Sequence, residues 1–295
     1  MNRPLLLLLG TGTMLGLNFP LGKLALAAGV QPAIWAAYIS LAAGLALLGI
    51  VSFAEDAPGK PTVKNLARFS IISGFVSFVM PNLLTFTVIP KLGSGLVAIM
   101  FALSPVVTAV LSVILRVRPP NLFGILGIGF GLVGAMTIVF GRNAMVDSPD
   151  RIWLVVALLI PVFLGIGNVY RTMAWPDGAS PQRLASMTNL AAVPFLLSEA
   201  VFVEGHANLQ ALVSIPLLLV VQLAISTIMF LMFFRLQQIG GPTYLSQIGY
   251  VAAAVGVLIG VAVFGEVYPT IVWIGVAIIA FGVLLTNLAQ MRRLS

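Results

Sequence analysis

The chain has 295 residues, of which 60% are hydrophobic and 8% are charged. A soluble domain carries about 25% charged residues, so this composition cannot cover a water-facing surface. Apolar runs long enough to cross a bilayer recur from end to end, and the sequence reads as an all-α, multi-pass membrane protein. A net charge of +7 would suit nucleic-acid binding in a soluble chain. Here the placement of the basic residues gives it a different meaning, and no nucleic-acid partner is expected. With no cysteine and a single histidine, His206, in an expected loop, disulfides, thiolate sites and histidine-based metal sites are excluded. No cofactor and no metal are expected.

Apolar runs bounded by charge, Gly or Pro predict ten helices, over 4–28, 31–53, 67–89, 93–115, 121–140, 152–174, 181–203, 211–234, 242–264 and 268–290. The start of the chain has the look of a signal peptide, but Thr11, Asn18, Pro20 and Lys23 interrupt the apolar run. It is therefore taken as the first span. Within it Gly16, Phe19, Pro20 and Lys23 share a helical face, and Asn18 points nearly the opposite way with Thr11 and Gly22. Pro20 frees the Gly16 carbonyl and permits a bend. Lys23 is expected to snorkel at the outer end. Asn18 is either a cavity ligand or an interhelical hydrogen bond.

In the second span Trp35 and Tyr38 are either an interfacial aromatic belt or a substrate face. The third holds Met80-Pro81-Asn82. In the fourth, Phe101, Ser104, Pro105, Thr108 and Ser112 fall on one side at steps of three or four, although Ser104 and Thr108 could equally bond their own backbone. Gly124, Gly127, Gly131 and Gly134 form a stripe in the fifth, read as a close-packing seam, with dimerisation the second reading. The sixth carries Asn168, Arg171 and Trp175 in register, with Arg171 expected near the cytoplasmic end and free to snorkel. In the ninth, Thr243, Gln247, Tyr250 and Ala254 share a face, with Tyr244 beside them. Polar residues in lipid-embedded helices face a cavity or a partner helix. The expected substrate-binding set is therefore Asn18, Phe19, Tyr38, Asn82, Phe101, Ser104, Asn168, Tyr244, Gln247 and Tyr250, with Pro20, Pro81 and Pro105 as hinges. Such a lining is mostly apolar and aromatic with a few amide and hydroxyl groups, which suits small amphipathic solutes.

Alternate sides of the ten spans receive unequal basic charge. Eleven of the 15 Lys and Arg fall on the side holding both termini; Lys23, Lys91, Arg142 and Arg151 fall on the other. Both termini are expected in the cytoplasm. The chain also matches itself. At a shift of 149, residues 31–48 fall on 180–197, with Pro32 on Pro181 and Leu41-Ala42-Ala43 on Leu190-Ala191-Ala192, and Leu15-Gly16 falls on Leu164-Gly165. At a shift of 148, Gly93, Gly127 and Gly134 fall on Gly241, Gly275 and Gly282. Two repeats, 1–146 and 147–295, then hold five helices each. An odd number of spans inverts the second copy, and inverted repeats present a midplane site alternately to either side. A transporter is the expected class.

Enzyme signatures are missing: there is no HExxH, GxSxG, Walker A loop or pair of intramembrane carboxylates. Only Glu199 and Glu266 approach the bilayer among the acids, so facilitated or exchange transport is favoured over a carboxylate proton relay. The expected partners are a small-molecule substrate and the lipid bilayer, and a monomer is compatible with the repeat.

Three segments carry a family resemblance. "LGLNFPLGKLAL" (15–26), "ALSPVVTAVL" (102–111) and "FGEVYPTIVWIGVAIIAFGVLL" (264–285) resemble the first-helix, fourth-helix and last-pair patterns of EamA-type members of the drug/metabolite transporter superfamily. The resemblance implies a ten-helix inverted-repeat fold in the bacterial inner membrane, exporting small metabolites, amino acids among them. With the lining above, aromatic or other amphipathic amino acids are the favoured substrates. Efflux of toxic organic cations is the alternative, and a non-translocating receptor or assembly factor is the alternative of another class. Two departures stand out. Arg118 replaces the acidic residue that the pattern has after the fourth helix, and the second helix lacks the pattern's arginine, reading Tyr38-Ile39-Ser40.

Overall fold

The computed structural model describes residues 3–52, 61–92, 97, 100–117, 119–143, 151–202, 209–264 and 267–294, and every element among them is helical. In chain order these are α1 (Arg3–Ala27), α2 (Pro32–Ser52), α3 (Val63–Leu92), α4 (Ser104–Ile114), α5 (Leu122–Asn143), α6 (Arg151–Met173), α7 (Pro181–Phe202), α8 (Pro216–Ser246), α9 (Ile248–Phe264) and α10 (Thr270–Leu294), with a single turn at Gln210–Val213 before α8. Six of them (α1, α2, α3, α6, α7 and α8) are long and apolar enough to cross a membrane; shorter apolar helices run over Met100–Ile114, Leu122–Gly134, Ile248–Val263 and Thr270–Thr286. His206, Glu266, Arg118 and the expected repeat boundary at 146/147 lie outside the described residues.

Local chemistry sets the ends and the interruptions. Asn121 Oδ1 accepts from Gly124 N (2.9 Å) at the start of α5, and Ser180 Oγ accepts from Arg183 N (3.2 Å) just before Pro181 opens α7. Both are side-chain caps on orphan amides. α3 widens into a π-turn over Phe75–Val79, closed by Met80 N on Phe75 O. It sits directly before Pro81, whose ring supplies no N–H for the preceding turn.

Two breaks matter most for the site. At Gly241 α8 turns through φ 73°, ψ −175°, a left-handed conformation open to glycine, and its last stub, 242–246, heads in a new direction. A turn at Gln247, whose N–H bonds Tyr244 O (3.3 Å), then leads into α9. The first half has the same device: Leu103 N bonds Met100 O (3.1 Å) between the helical residues 100–102 and α4. Pro105 stands at the N-terminal positions of α4, just after this tight turn, where Leu103 keeps helical dihedrals (φ −83°, ψ −17°).

The packing pairs helices across the two halves. α2 lies on α7 and α5 on α10; α1 packs on α8 and α9, whereas α6 packs on α3 and α4; α7 touches α3 as α2 touches α8. The α5–α10 seam is glycine-lined. A β-carbon on Gly127 would stand 2.6 Å from Gly282 O, one on Gly134 2.6 Å from Gly275 O, and one on Gly282 2.7 Å from Gly127 O. The expected close-packing stripe is thus an intramolecular contact. Gly124 takes no part in it, facing Pro120 and Asn121 instead.

Polarity is distributed inside out. Large apolar side chains such as Leu45, Val110, Ile114, Leu122, Ile152 and Leu217 are exposed, while Asn18, Asn168, Arg171, Gln222, Gln237 and Gln247 are buried. An exposed apolar surface of this extent in water marks an interaction surface or a liability; around a membrane-spanning bundle it is the lipid contact.

Candidate functional site

Between the halves lies a partly open cavity of about 70 Å³. The first half contributes Leu15 of α1, Ser77, Phe78, Pro81 and Asn82 of α3, and Phe101 and Ser104 at the α4 break. The second contributes Leu164 and Asn168 of α6, Met229, Phe230 and Phe233 of α8, and Ser246, Ile248 and Gly249 at the break before α9. A second cavity, of about 30 Å³, shares Leu15, Asn82, Phe101, Met229 and Phe230 with the first and adds Asn18, Phe19, Ile39, Thr85 and Phe86. Aromatic rings form the common walls. Phe78 and Phe230 have centroids 4.8 Å apart, and Phe19 meets Phe101 edge-on at 5.0 Å.

Six of the ten residues expected at the site line these cavities: Asn18, Phe19, Asn82, Phe101, Ser104 and Asn168. Asn82 is half-buried, faces both cavities and is hydrogen-bonded to no described residue. Ser104 also has no such partner. Together with the unpartnered hydroxyls of Ser77 and Thr85, they are polar groups left available to a solute. Asn18 makes the interhelical hydrogen bond that its position suggested. It borders the smaller cavity, and its Oδ1 accepts from Gln222 Nε2 of α8 at 2.5 Å while its Nδ2 donates to Met14 O at 3.0 Å.

The other four lie outside both linings. Tyr38 donates its hydroxyl to Leu219 O of α8 (2.6 Å) and stacks on Trp35 at 5.8 Å. Trp35 is fully buried, so the two form an internal α2–α8 contact and no interfacial belt. Tyr250 is also fully buried and donates to Ile128 O of α5 (2.9 Å), its ring lying over Gly131. Gln247 accepts from Thr286 of α10, and Tyr244 is buried in the 242–246 stub beside Gly240. For the residues around α9 the tight turn at Gln247 explains the displacement: a face counted at steps of three and four assumes regular winding, and the turn shifts its phase. Ser246 and Gly249 take the cavity positions instead. Of the expected hinges, Pro81 lines the cavity behind the π-turn, while Pro20 lies inside an unbroken α1.

Sequence reasoning missed Ser77, Phe78, Met229, Phe230 and Phe233. The three from α8 carried no usable signal, because an apolar side chain on a cavity wall reads like one in the core. It also misplaced Arg171. Instead of snorkelling at a helix end, the guanidinium is 1% exposed inside the bundle. Its Nη2 donates to Asn168 Oδ1 (2.6 Å), its Nε to Gln237 Oε1 (3.4 Å), and its plane lies 4.8 Å from the Phe233 centroid. Gln237 Nε2 in turn donates to Asn168 O (3.1 Å) and Thr172 Oγ1 (2.5 Å), and Asn168 Nδ2 donates to Thr108 Oγ1 (3.2 Å). This network ties α6 to α4 and α8 directly behind the cavity.

An apolar girdle, helices long enough to span a bilayer and a polar-dotted cavity between two halves define a multi-pass membrane protein with a central cavity. The model of the EamA-like transporter family matches the chain twice, over residues 2–140 and 151–288. The chain belongs to that family: it is a membrane transporter, not an enzyme. A solved crystal structure 16% identical in sequence superposes with a TM-score of 0.68 over 96% of this chain and 98% of that one, a likeness that shows the fold alone. No curated protein matches the chain.

Proposed function

We propose that the protein exports amino acids and related small amphipathic metabolites from the bacterial cytoplasm across the inner membrane, by alternating access through the central cavity. The observation that carries this reading is the lining itself. Rings and aliphatic side chains from both halves enclose the amide of Asn82 and the hydroxyl of Ser104, the mix of apolar wall and few orienting polar groups that small-molecule sites use. The swapped packing partners, α1 on α8 and α9 against α6 on α3 and α4, are what a two-fold relation between halves produces. Together with the matching turns at Leu103 and Gln247, they support ten spans in two inverted five-helix repeats; the excess of Lys and Arg on one side supports cytoplasmic termini.

Size bears on the substrate. A buried water needs roughly 10–15 Å³ of such volume, so a cavity of about 70 Å³ holds only a small solute in this conformation. An aromatic amino acid requires Phe78, Phe230 or Phe101 to swing aside. Efflux of organic cations is the weaker reading, because the charge nearest the cavity is the Arg171 cation. Purified protein in vesicles, offered labelled amino acids with and without a pH gradient, tests the proposal. Uptake above empty vesicles is expected for at least one amino acid, and none for any of them overturns it. A resistance panel in a sensitised host separates the organic-cation reading.

A further inference from the structure

Arg171 holds more hydrogen-bonding capacity than the protein uses. A buried guanidinium keeps its charge at neutral pH and offers five N–H donors. Two of its nitrogens are engaged, by neutral amide oxygens of Asn168 and Gln237. The third, Nη1, is buried with no partner, and no acidic side chain among the described residues pairs with the charge. An unpaired cation inside a membrane-spanning bundle is unstable without compensation, and such residues mark substrate or ion paths.

A second unpartnered polar atom lies beside it. Ser77 Oγ, on the π-turn of α3, is buried without a hydrogen bond, and Ser77 lines the larger cavity. Gly167 lies between the two: a β-carbon there would collide with Ser77 Oγ and stand 3.3 Å from Arg171 Nη1. The missing side chain at Gly167 is thus what lets two idle donors, Ser77 Oγ and Arg171 Nη1, come up to the same stretch of α6. Asn168 and Phe233, which contact Arg171, are themselves cavity wall. We propose that Arg171 Nη1 and Ser77 Oγ form an anion subsite at the edge of the cavity, and that it takes the carboxylate of a small amphipathic metabolite. The apolar body of that solute lies against Phe78 and Phe230, and any amino group it carries lies toward Asn82 and Ser104. This deepens the export reading and rests on it for the identity of the site.

The test compares carboxylates with their own amides, which keep the body and lose the charge. Binding of isovalerate, phenylacetate, L-valine and L-phenylalanine, and of the four matching amides, is measured on purified protein in isethionate buffer. The wild type is expected to bind at least one acid about tenfold or more tightly than its amide, tenfold being 1.4 kcal/mol. Arg171→Gln erases that preference, Arg171→Lys keeps part of it, and Ser77→Ala weakens acid binding several-fold and by more than it weakens amide binding. Equal binding of acid and amide by the wild type overturns the proposal, as does a panel with no bound member, or an acid preference that survives Arg171→Gln. The wild-type comparison decides the matter even where Arg171→Gln fails to fold. A chloride titration adds a separate arm. If chloride stabilises the wild type through Arg171 while no carboxylate does, the subsite serves a free inorganic ion and the proposal fails. Binding needs no translocation, so acid-selective binding without vesicle uptake overturns export and leaves the subsite. Uptake indifferent to the acid-to-amide change does the reverse.

Discussion

Replacing Gly127 by alanine tests whether the α5–α10 seam sets the separation of those helices. The added β-carbon would stand 2.6 Å from Gly282 O and 3.0 Å from Thr286 N, and would collide with the Thr286 methyl. Close C···O approaches across helix interfaces lie at about 3.3–3.6 Å, so the helices must part by roughly 0.7 Å. The nearest oxygen and nitrogen are backbone atoms and cannot rotate away. Overpacking of this kind costs about 1–3 kcal/mol, offset by alanine's helical advantage over glycine of roughly 0.5–1 kcal/mol. A net destabilisation on the order of 1 kcal/mol follows. Gly129, on the same helix, has nothing within 4 Å of its would-be β-carbon, so Gly129→Ala feels only the propensity gain. Melting curves of both variants and the wild type in one detergent are the assay. Gly127→Ala is expected to melt lowest, and Gly129→Ala at or above wild type. If Gly127→Ala melts as high as Gly129→Ala, the seam is looser than its geometry implies and the reasoning fails.

Asn82→Leu removes the free amide facing both cavities, so substrate affinity should fall at least several-fold with the melting temperature nearly unchanged; a large loss of stability with normal affinity would contradict the assignment. Tyr250→Phe should do the opposite. It removes the hydroxyl that bonds the Ile128 carbonyl, a loss of about 0.6–1.7 kcal/mol in membrane bundles, and solute binding should hold at wild-type strength. Pro20→Ala restores an N–H toward the Gly16 carbonyl within α1 and should slow transport without changing binding. Wild-type transport rates in vesicles would mean that this proline has no part in the cycle.

The sequence made much of the polar lining legible, though not Ser77 or Ser246, and hid most of the apolar lining. Asn18, Asn82, Ser104 and Asn168 could be picked out because an amide or hydroxyl in a lipid-soluble helix must turn inward, and all four border the cavities. Met229, Phe230 and Phe233 obey no such constraint, since lipid, core and cavity all accept them. Arg171 was misread for a related reason. Its distance from the helix end invited snorkelling, and only the packing of α8 across it closes that route. Tyr38 and Tyr250 show the converse error: a tyrosine hydroxyl in a membrane helix signals a partner, and here the partners are carbonyls of neighbouring helices. Periodicity failed at Gln247 because a turn resets the helical phase, and no single residue type announced that turn.

The two breaks explain why the cavity lies where it does. Backbone that leaves the helix inside a membrane must be sheltered by protein or line a wet space, so the turns at Leu103 and Gln247 cannot face lipid. Each turn is followed at once by cavity-lining residues, Ser104 on one side and Ile248 and Gly249 on the other. The breaks also touch. A β-carbon on Gly249 would collide with Phe101 O and stand 2.7 Å from Phe101 C, so α9 begins pressed against the backbone that leads into α4. Phe101 borders both cavities and carries the ring that meets Phe19. A shift of α9 along this contact therefore moves Phe101, and with it the wall between the two cavities. The α5–α10 pair, locked by backbone-to-backbone glycine contacts, has no such freedom. On the proposed alternating-access reading, motion falls to the broken helices, against a seam that holds still.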